Sequence, residues 1–169
     1  MSFRIKLFRK VTIIGVGLIG GSLGKAIKKN GLADEVVGMS QKHSTLQSAL
    51  QVGAVDFAYQ DVKKAVQHAD LVVLATPVGV VPGLFSLISP HLKKNCIVTD
   101  VGSTKRSIIK AAQHTLPKHS LFVGSHPLAG SEKRGVQNAS ADLFKGSICV
   151  MTPTERTHKS PKGKVKALW

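Results

Sequence analysis

The sequence predicts an α/β fold with a doubly wound, mostly parallel sheet and helices on both faces. Three observations carry that prediction. Short β-branched runs alternate with stretches of helical period. The runs are continuously apolar, as strands covered on both faces require. Most of them end in glycine, proline or a polar turn. The chain has 169 residues, enough for one domain with its own core.

The elements follow in order. Residues 11–15 (VTIIG) form a buried strand that ends in glycine. Residues 18–29 read as a helix, with Ile19, Leu23, Ala26 and Ile27 at helical spacing. A strand at 35–39 (EVVGM) precedes a helix at 44–52, which Ser44 or Thr45 could cap. The strand at 71–75 (LVVLA) stops at Thr76-Pro77. A helix over 80–92 places Pro82 in its first turn, where proline is tolerated. A strand at 96–100 (CIVTD) leads to a helix at 105–116, which Ser103 or Thr104 could cap. Strands at 121–124 and 148–151 complete the set. Residues 1–151 are therefore expected to form the folded domain. Residues 152–169 read as a linker and the cut-short opening of a helix that begins a helical dimerisation and substrate domain. In that reading Val165, Leu168 and Trp169 form an apolar face with no evident partner.

Composition narrows the classes. The chain is 43% hydrophobic and 20% charged, as in an ordered globular protein. No apolar run reaches the ~18 residues of a membrane span, and the basic start lacks a signal-peptide pattern. The 2 cysteines, Cys96 and Cys149, read as buried strand residues, and no metal site is expected. A cytoplasmic location is the default. The net charge of +15 has no aromatic interleaving, so a solvated basic surface that attracts small anions is preferred to nucleic-acid binding.

The segment Gly15-Val16-Gly17-Leu18-Ile19-Gly20 fits G-x-G-x-x-G between a strand and a helix, the setting of a Rossmann dinucleotide fingerprint. Gly15 allows the tight turn, Gly17 the approach of a pyrophosphate, and Gly20 close packing of helix on strand. The pyrophosphate would rest on free N–H groups around Leu18 and Ile19 at the positive helix end. An acid after the second strand would bind a ribose 2′-hydroxyl. Here Ser40, Gln41 and Lys42, followed by Thr45, stand there instead, while Asp34 and Glu35 lie at the other end. NADP is therefore favoured over NAD.

Further polar turns follow at strand ends: Ala75-Thr76-Pro77, DVGSTK from Asp100, and SHPLAGSE from Ser125. With the glycine fingerprint ahead of them, ATPVGVV, DVGSTK and SHPLAGSE resemble the prephenate/arogenate dehydrogenase family from about residue 10 onward. The resemblance implies an oxidative decarboxylation in tyrosine biosynthesis, with hydride passing from C4 of a cyclohexadienol to NAD(P). It implies His126 as the base for the C4 hydroxyl, Ser103 as its orienting partner and Glu132 in the polar network at the entrance. Thr76 and Pro77 would wall the nicotinamide. The substrate would be prephenate or arogenate. The family also implies a homodimer built by a helical domain not matched in this sequence, so this chain should associate weakly and turn over little by itself. Other two-domain dehydrogenases, of the β-hydroxyacid dehydrogenase or imine reductase type, and a non-catalytic dinucleotide-binding module are the competing classes.

Overall fold

The computed structural model describes residues 6–154, 157 and 159–169. A seven-stranded sheet has the order β3-β2-β1-β4-β5-β6-β7. The strands are β1 (Phe8–Ile14), β2 (Ala33–Met39), β3 (Phe57–Tyr59), β4 (Leu71–Leu74), β5 (Ile97–Asp100), β6 (Leu121–Pro127) and β7 (Cys149–Thr152). All neighbours pair in parallel except β6 and β7, so the sheet is doubly wound and mostly parallel, as the unbroken apolar runs require. The helices are α1 (Leu18–Lys29), α2 (His43–Gln51), α3 (Val62–Val66), α4 (Val81–Ile88), α5 (Arg106–Thr115) and α6 (Lys159–Leu168).

Alternation along the strands divides the core in two. Val11, Ile13, Leu71, Val73, Ile97 and Val123 face α1, α2 and α6. Ile14, Val72, Leu74 and Val98 face α3, α4 and α5. On the first face α1 lies close because Gly24 admits it: a Cβ there would overlap the Ala54 carbonyl oxygen. On the second, Thr12 would be a buried polar liability, but its hydroxyl donates to the Ala65 carbonyl at 2.7 Å.

Several local expectations are corrected. Neither Ser44 nor Thr45 caps α2; the helix starts at His43 with Lys42 at the N-cap position and no side-chain cap. Likewise α5 has Lys105 at its N-cap position, and neither Ser103 nor Thr104 caps it. The helix expected over 80–92 ends at Ile88, and Pro90 lies in a following 3-10 turn. Proline has no N–H to continue the ladder, and Ser89 instead donates its hydroxyl to Phe85 and Thr115 carbonyls. Strand β6 runs through His126 to Pro127, because β7 pairs with it as far as Cys149. Cys96 is buried as expected, whereas Cys149 is only half-buried on the edge strand. The short elements β3 and α3 add to the expected set. Finally, the apolar face of α6 does have a partner. Val165 and Leu168 are buried in the α1-side core, and the Trp169 ring meets Phe144 edge-on at 5.3 Å between centroids.

Candidate active site

Parallel strands end on one edge of a sheet, and here the chain reverses direction across it between β1 and β4. In open α/β sheets the crevice at such a switch point is the ligand site. Gly15 leaves β1 at φ +96°, a left-handed conformation that favours glycine. A Cβ there would also lie 2.6 Å from the Ala75 carbonyl oxygen, so the turns after β1 and β4 interlock. A Cβ on Gly20 would overlap the Gly15 carbonyl oxygen, which brings α1 tightly onto its strand. Gly17 differs: a Cβ there meets nothing within 4 Å. The free space beside the amino end of α1 is where an anion would lie. That end has no side-chain cap and no acidic residue in its first turn, and Leu18 and Ile19 begin the helix there.

The residues singled out in the sequence fall around this edge. Ser40 follows β2 and its hydroxyl accepts the Lys42 N–H at 3.3 Å. Gln41 and Lys42 are exposed, and the Gln41 carbonyl accepts from Gln60 at 2.6 Å. Thr45 is half-buried within α2. Thr76 follows β4, and its hydroxyl oxygen is buried without a partner among the described residues, a polar group available to a ligand. Pro77 beside it is exposed. Ser103 is exposed in the turn after β5, and His126 is half-buried near the end of β6. Their strands are neighbours, but no hydrogen bond joins the two side chains. Glu132 is exposed on the loop beyond β6 and makes no hydrogen bond or ion pair to a described residue.

Beneath Ser103 and His126 lies a buried polar cluster that the sequence motifs do not by themselves assemble. Asp100, fully buried at the end of β5, is ion-paired to Lys105. Its Oδ2 also accepts the Gly102 N–H at 3.0 Å. Burial pushes the Asp100 carboxyl above its ordinary range, against the opposing pull of Lys105 and the Gly102 N–H. The Lys105 ammonium donates to the Ser125 carbonyl at 2.7 Å. The Ser125 hydroxyl donates to the Asp100 carbonyl at 2.7 Å, and the indole N–H of Trp169 donates to the Ser125 hydroxyl at 3.2 Å. The available signal was the apolar setting of Asp100, an acid closing a strand with a lysine five residues on.

Fold and crevice together define a Rossmann-type nucleotide-binding domain. The family described as prephenate dehydrogenase, nucleotide-binding domain, matches residues 23–169, and the chain belongs to that family. Prephenate dehydrogenase of Bacillus subtilis (strain 168) is 35% identical, covering 94% of this chain and 43% of the relative. Among solved structures, prephenate dehydrogenase from A. aeolicus, in complex with hydroxyphenyl propionate and NAD+, superposes with a TM-score of 0.88. It is 30% identical, covering 100% of this chain and 58% of that one. Synechocystis arogenate dehydrogenase gives 0.86 at 33% identity, covering 94% and 55%. The chain spans about half the length of the curated relatives it matches.

Proposed function

We propose that this chain is the dinucleotide-binding and hydride-transfer half of a prephenate or arogenate dehydrogenase. The observation that carries the reading is the open space at Gly17, beside an uncapped helix end, on the same sheet edge that presents His126. Gly15, Gly17, Leu18, Ile19 and Gly20 would hold the pyrophosphate, and Thr76 and Pro77 would flank the nicotinamide. A nicotinamide held there would supply the acceptor for the hydride from C4 of the cyclohexadienol. His126 takes the proton of the C4 hydroxyl as hydride leaves and returns it to that oxygen in the phenol product, Ser103 orients that hydroxyl, and Glu132 belongs to the polar entrance. The ring gains aromaticity as carbon dioxide leaves. The segment 152–169 leads from the nucleotide-binding part towards the part that completes the substrate site. Family membership and likeness to the B. subtilis and A. aeolicus enzymes support this reading.

Ser40, Gln41 and Lys42 supply hydroxyl, amide and ammonium groups where a carboxylate would repel a 2′-phosphate, which favours NADP over NAD. Calorimetric titration with both dinucleotides tests this; tighter NAD binding rejects it. For the chemistry, His126→Asn in a catalytically competent form should keep dinucleotide affinity and lower turnover about 100-fold or more. Near-normal turnover would remove His126 from the role. The reading extends to a cytoplasmic homodimer for the whole protein, with this chain alone mostly monomeric. Sedimentation at low micromolar concentration tests that last point.

A further inference from the structure

Strand β5 ends at Asp100, whose partner on β6 is Gly124. Strand β6 continues beyond that point through Ser125, His126 and Pro127 into the crevice. This overhang is paired on one side only, by β7, with His126 opposite Val150. On the side where β5 has ended, the Lys105 ammonium takes the place of a neighbouring strand by donating to the Ser125 carbonyl at 2.7 Å. Lys105 is itself pinned by the buried Asp100 carboxylate, and its side chain is 13% exposed. It also closes the 101–105 turn, which carries Ser103. One ammonium therefore ties together the end of β5, the Ser103 turn and the peptide that enters His126.

We infer that Lys105, anchored by Asp100, is a positioning residue that holds the His126 imidazole in one orientation towards the crevice. The inference rests on the reading of His126 as the base. It assigns Lys105 no contact with substrate or dinucleotide. A lysine that merely filled space could be replaced by an uncharged chain of equal length without loosening His126. A lysine that supplies the missing edge partner could not, because the Ser125 carbonyl would lose its donor on that side and Asp100 would lose its cation.

The test uses this chain, free and saturated with NAD or NADP, and reads the χ1 three-bond couplings of His126 by NMR. In the unsubstituted protein the couplings should report one rotamer. In Lys105→Met they should move to the intermediate, rotamer-averaged values, while Lys105→Arg, which keeps a cation, should restore the single rotamer. Dinucleotide affinity should stay within about twofold in all three. The ring of His119, which lies near the Leu92 carbonyl at the opposite end of the sheet, is the control and should not respond. Because Lys105→Met strands a buried carboxylate, Asp100→Asn/Lys105→Met gives a neutral pair that should fold and show the same averaging at His126. A single His126 rotamer in both variants overturns the proposal, as does averaging already present in the unsubstituted protein. Loss of fold in both variants would make Lys105 a structural residue and overturns it too. Loss of dinucleotide affinity with His126 still ordered would make Lys105 a nucleotide ligand instead. Failure of the underlying functional reading shows separately, as absent dinucleotide binding or undiminished turnover in His126→Asn.

Discussion

At the scale of single residues, the glycines of the first turn have separable roles, and substitution can tell them apart. A Cβ on Gly20 overlaps a backbone carbonyl, which cannot move without shifting α1 off β1. Gly20→Ala should therefore cost about 1–3 kcal/mol of stability, the usual range for overpacking a filled site. Gly17 has room for a methyl group and a φ of −83° that alanine accepts. Gly17→Ala should cost about 1 kcal/mol or less, because alanine is the poorer residue at an N-cap, yet weaken dinucleotide binding severely because the methyl group would take the space proposed for the pyrophosphate. Thermal melts and calorimetry on both variants check this; unchanged affinity in Gly17→Ala would remove the ligand from that turn. Asp70 gives a pH prediction. Burial acts to raise its pKa, but hydrogen bonds from Lys93 and the N–H groups of Arg9 and Lys10 outweigh burial, so the carboxyl titrates below its ordinary value. A folded pKa below the unfolded one means that the stabilisation is complete above about pH 4 and is lost as pH falls through the folded value. Asp70→Asn should thus cost about 1–3 kcal/mol at neutral pH. The gap to the unsubstituted protein should close in urea melts as the pH falls through the lowered folded value, and a gap independent of pH would show that the charge is not involved.

At the scale of elements, what the sequence revealed depended on length and burial. The helix predicted over 18–29 matches α1 to the residue, because the glycine turn starts it and the apolar spacing carries it. The central strands β1, β4 and β5 are buried on both faces, so their residues had to form apolar runs. Strand β3 is three residues at the sheet edge with Phe57 half exposed, and α3 is five residues with two lysines; neither is long enough to show a period. Of the candidate site, the glycine turn and the histidine turn were legible as local patterns. The Asp100–Lys105–Ser125 cluster was not, since it depends on where β5 stops relative to β6. The same limit applies to α6, whose apolar face was visible in the sequence while its partner was not. Val165 is fully buried and Leu168 is 7% exposed, both against the α1-side core. Leu168→Ala should cost about 2–4 kcal/mol by leaving a cavity there, seen as a lowered melting temperature. No loss would mean that α6 detaches from the sheet in solution.

At the scale of the whole molecule, the decisive quantity is charge. Lysine and arginine number 24 against 9 aspartates and glutamates, so at least 15 cations have no acidic partner to offset them. The ion pairs among the described residues include Lys6–Asp34, Lys28–Asp56 and Lys29–Asp142, all at least about a third exposed on one side. Exposed pairs of this kind contribute about 0–1 kcal/mol each, and salt weakens them. The same salt also screens repulsion among the surplus cations, which acts across the whole surface and opposes the compact state. Between about 0.01 M and about 1 M salt the Debye length falls from about 30 Å to about 3 Å, so nearly all of that repulsion is removed. The buried Lys105–Asp100 pair is shielded from this change. Repulsion should therefore outweigh the few pairs, and the melting temperature should rise with sodium chloride. For a chain of this size each kcal/mol corresponds to roughly 2–4 °C. Dinucleotide affinity should move the opposite way, falling with salt as the attraction between a +15 protein and an anion is screened. Parallel melts and titrations across the salt series measure both slopes. A melting temperature that falls with sodium chloride would show that the pairs, rather than the surplus charge, set the electrostatics of this fold.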